Sequence, residues 1–392
     1  IVGTLALSRQ SIFEQAGATL LGTVFPLAYF PGNPASASQH FTELWNANQD
    51  VEPDIFAAQG YMAVWMLLNG IKAADSYDRA AVLAGVESLT GANTPEGQLE
   101  YIDHEAPTDS FVYVQWSSDG TQTVWDGTSA GLLANVNEAP VAATTVKIGY
   151  TPILSGGVAF AGVPLADGAE LAVMEANESN FLGAGVTIEL VGEDTGGDQA
   201  TTIGNLDKLI ADEDVLGVVC CALSSVSGSL LPVAEEAEIA MIGWGAIAPN
   251  LSESPVFWRS FPNGSLSTPL ITDDAIAAFG PSTAVVTRTA DNDGMIADSA
   301  IYVERLEAAG VELLAVVDTF ADDTDMSGPA TQVIAENPDI VFTGQLGNTE
   351  VLMIAELRDR GYDGPIVGNL ALAPQSIFEQ AGDTLLGTVF PL

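Results

Sequence analysis

Positive charge is what this chain has least of. Ten lysines and arginines stand against 52 aspartates and glutamates, for a formal net charge of −42 at pH 7. Nucleic acid and anionic lipid are bound through basic patches, and a surface this acidic repels both. Neither is expected as a partner. Histidine is scarce too: His40 and His104 are the only two and lie in unrelated contexts. No zinc cluster, phosphate-cradling loop or nucleophile elbow occurs, so no cofactor, resident metal or enzymatic activity is expected. Uninterrupted apolar runs are missing as well. The most apolar charge-free stretch, Val215–Ala234, contains Gly217, Gly228, several serines and Pro232. It reads as a strand, a loop and a helix start, not a membrane span. No signal peptide or lipid-attachment cysteine opens the chain. Its first residue reads as lying inside a domain, so this says nothing about export.

There are two cysteines, Cys220 and Cys221, adjacent in the apolar run VLGVVCCALSS. Neighbouring cysteines rarely bridge because the ring is strained. The ordinary reading is two small buried side chains at a strand end, and a vicinal disulfide is the alternative. Neither settles the redox compartment.

Hydrophobic residues make up 47% of the 392 residues, enough for a real core, and the length suits two lobes. The acidic surface fits a salty or extracellular setting, where ions screen its self-repulsion. It resembles that of proteins from high-salt habitats, with an ordinary acidic secreted protein as the alternative.

Residues 1–27 and 366–392 are near-copies, aligned without a gap at an offset of 365. They differ at four positions: Thr4/Asn369, Ser8/Ala373, Arg9/Pro374 and Ala18/Asp383. A close repeat at the spacing of a large domain marks a window slightly longer than one period. A tandem array, a circular permutant with overlapping ends and an engineered duplication all produce it. Scattered differences favour the natural arrangements.

Residues 137–145, NEAPVAATT, read as a linker. After it, VKIGYTPILSG, TIELVGED, VLGVVCCA and IAMIGWGA read as strands alternating with helices. The alternation resumes in STAVVTRTA, VELLAVVDTF, DIVFTGQL and PIVGNLAL. Two such runs predict two doubly wound α/β lobes with parallel sheets covered on both faces. In the first part of the chain, FTELWNANQ, DIFAAQGYMAVWMLLNGIKAA and DRAAVLAGVESL read as helices. TPEGQLEYID, DSFVYVQWSSDG and TQTVWDG read as closing hairpin strands. Lobe 1 is therefore assigned 146–265 plus the helices of 28–108. Lobe 2 is assigned 266–392, the strand and helix of 1–27 and the closing hairpin of 109–136.

Read from about residue 145 to 392 and onward through 28–136, the chain resembles the type I periplasmic solute-binding proteins of the branched-chain amino-acid class. The resemblance rests on an ordered series. VKIGYTPILSGGVAFAGVPLADGAELAVMEAN matches the first strand, turn and helix. VLGVVCCALSSVSGSLLPVAEEAEIAMIGWGAIAPNL matches the serine loop, and PDIVFTGQLGNTEVLMIAELRDRGYDGPIVGNLAL the second lobe. It implies two Rossmann-like lobes joined by a hinge, in permuted chain order, with a ligand held between them at the carboxyl ends of the strands.

The family grips an amino-acid carboxylate with a serine loop at a helix N-terminus, and Ser224 and Ser225 fall on those positions. N-capping of the following helix is an equal alternative. Where the family offers a threonine hydroxyl to the ammonium, this chain has Ile247. Where it offers an acid, the chain has Leu370, or its twin Leu5. Aromatic cleft positions fall on Ala161, Asp293 and Leu346. Phe160, Trp244, Gly245 and Gln345 complete a mostly apolar set. A buried ammonium without a partner is costly, so ordinary α-amino acids are not expected to bind in the family's manner. Asp291-Asn292-Asp293-Gly294 with Asp298 is only a faint likeness to a calcium loop. Asn177, Asn250 and Asn263 sit in glycosylation sequons of the kind chance produces. The expectation is a non-catalytic, exported, extracellular solute-binding module with a small organic ligand, repeated in an array and contacting copies of itself. A purely structural subunit of an extracellular filament or surface layer is the alternative.

Overall fold

The structure is a computed structural model. It describes residues 24–27, 36–94, 97–100, 112–116, 122–124, 144–212, 214–260, 264–372, 385 and 388–389. In chain order its elements begin with β1 (Val24–Leu27), α1 (Ser36–Asn48), α2 (Ile55–Ala74), α3 (Arg79–Glu87), β2 (Thr90–Thr94) and β3 (Gly97–Glu100). Next come β4 (Val112–Trp116), β5 (Gln122–Val124), β6 (Thr144–Tyr150), α4 (Ala159–Glu178), β7 (Val186–Val191), α5 (Gln199–Ala211) and β8 (Val215–Cys220). They are followed by α6 (Ser224–Glu236), β9 (Ala240–Gly243), β10 (Phe257–Arg259), α7 (Gly264–Phe279), β11 (Thr283–Thr289) and α8 (Asp293–Ala308). The series closes with β12 (Glu312–Thr319), α9 (Ser327–Glu336), β13 (Ile340–Gly344), α10 (Gly347–Asp359), β14 (Ile366–Val367) and β15 (Thr388–Val389).

These elements form two compact units. Unit 2 joins Tyr29–Phe111 to Thr128–Pro262. Its sheet runs β10-β9-β8-β6-β7, and every pair is parallel. The central strand β8 is buried at each residue, as its unbroken VLGVVC predicts. Helix α2 comes from the far part of the sequence and packs on α4 closely enough to require glycine. A Cβ on Gly60 would lie 1.9 Å from the Leu165 carbonyl oxygen, and one on Gly168 would lie 2.0 Å from that of Ala57. Asp54 caps α2 by accepting from the Ala57 N–H. Arg79 fastens α3 by donating to the carbonyls of Val215, Ile210 and Asp212 at 2.7, 3.0 and 2.5 Å.

Unit 1 joins Ile1–Ala28, Val112–Gly127 and Asn263–Leu392. Its five-stranded parallel sheet runs β12-β11-β13-β14-β15, and a separate antiparallel sheet runs β1-β4-β5. Its core gathers Ile271, Val286, Tyr302, Leu306, Ile340, Phe342 and Val367.

The α/β reading with two parallel sheets therefore stands, with local differences. Strand β6 begins at Thr144, inside the stretch read as linker, because Thr144 and Thr145 already pair with Val186 and Thr187. Strand β3, expected with the closing hairpin, pairs antiparallel with β2 instead. PIVGNLAL is a strand only over Ile366–Val367 and then turns into a 3₁₀ helix at Leu370–Leu372. Helix α7 has no counterpart in the sequence reading. Residues 1–23 and 137–143 lie outside the described residues, as does His104.

Candidate functional site

In a parallel sheet every strand delivers its carboxyl end to the same edge, and ligands bind there in open α/β folds. In unit 2 the neighbouring strands β6, β8 and β9 end at Tyr150, Cys220 and Gly243. The segments that follow carry Thr151, the Ala222–Ser225 loop and Trp244–Ala248.

Ser224 is 3% exposed. Its hydroxyl oxygen accepts from the N–H groups of Ile247 at 3.0 Å and Ala248 at 3.1 Å. The serine therefore ties the loop after β9 to the loop after β8. It does not cap α6, whose N-cap residue is Leu223 with no side-chain cap bond, so the capping reading is corrected. The first amides of a helix have no intrahelical acceptor, and the macrodipole makes that end suited to a carboxylate or another polar oxygen. Ser225 is half-buried in the first turn. Gly245 passes within reach of the Ala222 backbone, where a Cβ would lie 3.2 Å from its Cα. Trp244 is buried, donates its backbone N–H to Cys220 at 3.1 Å and meets the Tyr150 ring edge-on at 6.5 Å. Ile247 is buried, Ala161 is buried and Phe160 is half-buried at the start of α4.

Three features escaped the sequence reading. Arg259 is fully buried at the end of β10. Its guanidinium holds the carbonyls of Ala246 and Ala248, its Nε donates to Ser252 at 2.9 Å, and it stacks 5.3 Å from the Phe257 ring centroid. It fixes the loop after β9 from behind. Asp194 clamps the loops after β6 and β7, accepting from Leu154 N–H, Ser155 hydroxyl and Gly196 N–H at 2.8, 2.6 and 2.9 Å. Those bonds, the serine hydroxyl foremost, hold its carboxyl below the usual range. Thr151 and Trp244 contribute a buried Oγ1 and Nε1 that have no protein partner among the described residues. Of these residues, the sequence had singled out Trp244, and an arginine in the largely apolar VFWRSF was the further signal. Cys220 and Cys221, both buried, form a vicinal disulfide, so the alternative reading of the pair is the correct one.

In unit 1, the corresponding edge carries Gln345 and Leu346 after β13 and Asn369 after β14. Gln345 is fully buried and accepts from the Thr287 hydroxyl at 2.7 Å, while its Nε2 has no protein partner among the described residues. Asn369 donates to the Gln345 carbonyl at 2.7 Å. Glu350 accepts from Thr343 at 2.7 Å and from the Asn369 N–H at 3.0 Å. Asp298 accepts from Thr268 at 2.9 Å. Burial pushes Asp298 up to about 7 and raises Glu350 well above the carboxylate range, with the Asp298 charge adding to the latter. Both acids are buried in the interior of unit 1. Leu346 is half-buried at the N-cap of α10, Asp293 is exposed in the first turn of α8, and Leu370 begins the 3₁₀ helix. The faint calcium pattern is dispersed: Asn292 caps α8, Asp291 accepts from Ala321, and Asp298 faces Thr268. No group of His, Cys, Asp and Glu at metal-binding spacing occurs among the described residues. Asn177 exchanges both side-chain bonds with Ile188 and is not free for a glycan, Asn250 is exposed, and Asn263 lies outside the described residues.

A family model described as "Periplasmic binding protein" matches residues 1–121 and 145–392. The chain belongs to this family. A relative, the Leu/Ile/Val-binding protein BraC3 of Rhizobium johnstonii, is 24% identical over 269 residues, covering 67% of this chain and 71% of BraC3. Among solved structures, the leucine-binding protein LivK of Thermotoga maritima superposes with a TM-score of 0.58 at 21% identity, covering 62% of this chain and 69% of LivK. LivJ of Streptococcus pneumoniae, in complex with isoleucine, gives 0.54 at 22%, covering 61% and 68%. A solute-binding protein of Rhodopseudomonas palustris, in complex with 4-hydroxybenzoate, gives 0.54 at 18%, covering 61% and 66%. The fold of this periplasmic binding protein is thus the type I fold. Such proteins are exported and bind solutes. No described helix is long and apolar enough to cross a membrane.

Proposed function

We propose that this protein is a non-catalytic, exported solute-binding module whose ligand presents a carboxylate or similar polar oxygen but no α-ammonium group. The observation that carries this is the segment after β9. From Trp244 to Ala248 it offers no carboxylate and no hydroxyl, and the Ile247 N–H is already given to Ser224. An ammonium placed there would lose its hydration without gaining a side-chain acceptor from this segment, a cost of several kcal/mol. The N-terminus of α6 supplies the complementary half: first-turn amides without an intrahelical acceptor, which favour an anion. Ser224, Ser225, Gly245, Ile247, Trp244, Phe160 and Ala161 would line the site at the carboxyl edge of the unit 2 sheet. The fold accommodates an acid without an ammonium in the protein that holds 4-hydroxybenzoate.

Calorimetry against leucine, isoleucine and valine on one side and benzoate-like and short aliphatic acids on the other tests the reading. Binding of an acid, weakened in Ser224→Ala, is expected. Ile247→Thr is expected to gain measurable affinity for a branched-chain amino acid. Tight leucine binding by the unaltered chain, lost in Ser224→Ala, would refute the proposal.

The duplicated segment supports a second element, that the module works as one repeat of a tandem or end-to-end array. The two-block family match, interrupted between residues 121 and 145, is in keeping with a unit read across a junction. A chain that assembles but binds no acid or amino acid would favour the purely structural alternative, a building block of an extracellular filament or layer.

A further inference from the structure

The sequence TVFPL occurs at 23–27 and again at 388–392, and its two copies pair differently. In the first copy β1 pairs antiparallel with β4, with Val24 opposite Gln115 and Leu27 opposite Val112. In the second copy β15 pairs parallel with β14, with Thr388 opposite Ile366 and Val389 opposite Val367. A strand has two edges. The first copy shows one neighbour the segment accepts, and the second shows another. Both are edge strands among the described residues: β15 ends the five-stranded sheet and β1 ends the three-stranded one. Among the described residues each therefore lacks the neighbour that its twin has.

An open strand edge is a template for pairing with another chain. We propose that the edge of β15 is an interaction site for the β4–β5 hairpin of a second copy of this chain. The register would be the one β4 makes with β1, which places Val389 opposite Gln115 of the second copy. This rests on the array reading above and not on the identity of the ligand. In the joined sheet β4 exchanges one TVFPL segment for an identical one, so no type of residue pair is lost. The β4–β5 hairpin, marginal as an independent two-stranded unit, becomes continuous with a five-stranded sheet.

The proline is compatible with this arrangement. Val389 gives its carbonyl to the Gly368 N–H at 2.6 Å, so its backbone groups face β14. Backbone groups alternate between edges along a strand. In the first copy Pro26 stands opposite Tyr113 of β4, so that register already accommodates a proline at this place. The contact is head-to-tail, since β15 of one copy meets β4 of the next. Interfaces of that kind build rings or filaments.

Opposed residues of an antiparallel pair have Cα atoms about 4.5–5.5 Å apart, within the range a disulfide spans. The full chain carrying Val389→Cys and Gln115→Cys is oxidised at high concentration and run on a denaturing, non-reducing gel. Val24→Cys with Gln115→Cys is the companion. The expected result is a ladder of dimers and higher oligomers for the first pair and an internally linked monomer for the companion. Sedimentation of the unaltered chain should show concentration-dependent growth. A 115–389 link confined to single chains overturns the inference. So do oligomers without that link, which would leave the array reading standing. A chain that stays monomeric and unlinked removes both, and the ligand titrations above are unaffected by either outcome.

Discussion

The crossing of α2 and α4 gives a prediction whose sign runs against ordinary expectation. Replacing a helical glycine with alanine usually stabilises by about 0.5–1 kcal/mol, because glycine has more backbone freedom to lose. Gly204 on α5 is such a site: it is exposed and no atom lies within 4 Å of its missing Cβ. Gly204→Ala should therefore raise stability by that amount. Gly168→Ala places a methyl 2.0 Å from the Ala57 carbonyl oxygen and 2.9 Å from the Tyr61 backbone nitrogen. Both obstacles are backbone, so relief requires the helices to part. Overpacking of this kind costs about 1–3 kcal/mol and sometimes more, which exceeds the propensity gain. The expected net effect is a loss of about 1–2 kcal/mol or more, a fall of roughly 2–8 °C in Tm for a unit of this size. Gly60→Ala should behave alike, since its methyl would meet Leu165 at 1.9 Å. The double variant should cost less than the sum, because helices already separated leave room for the second methyl. Thermal and urea unfolding of the four variants checks this. A neutral or stabilising Gly168→Ala would show that the helices do not cross at backbone contact and would refute the reasoning.

Other predictions follow from the charges. Asp298 is neutral in the folded state up to about pH 7 but ionises near 3.9 once unfolded. Its folded value is raised, so between those limits the folded state binds more protons, and its contribution to stability falls as pH rises from about 4 to 7. Asp298→Asn should flatten that slope and stabilise the protein at pH 8, by at most on the order of 4 kcal/mol; unfolding midpoints across pH measure it, and an unchanged slope would contradict it. The net charge of −42 predicts that Tm rises with sodium chloride between 0.1 and 1 M, as the screening length falls from about 10 to about 3 Å. A Tm independent of salt would mean that self-repulsion does not limit stability. Ser224→Ala leaves the buried amides of Ile247 and Ala248 without their acceptor. It should destabilise by about 1–3 kcal/mol, and no loss would mean that another group takes over.

The parallel sheets were readable because strand and helix have different hydrophobic periods, and β8 is apolar at every residue. The helix α7 was not. It carries Pro269 within a run of serines and threonines, Gly264–Phe279, that shows no clear apolar face. Nor could the sequence say that β3 turns back on β2, since a short strand pairs with whichever edge is offered. The serine loop was found by resemblance, but the alternative that Ser224 caps the following helix does not hold. Its actual partners, Ile247 and Ala248, lie 23 and 24 residues away.

By itself, then, the sequence determined the alternation of elements, the acidic surface and the duplicated segment. These depend on local periodicity, on composition or on the identity of single residues. Tertiary structure alone decided that Cys220 and Cys221 are joined, that Arg259 braces the loop after β9, and that Asp298 and Glu350 are interior acids. It also decided that two identical strands take different neighbours. Each of those depends on what surrounds a residue in space. A carboxylate changes its protonation, and a strand its partner, according to groups that the chain brings near only on folding.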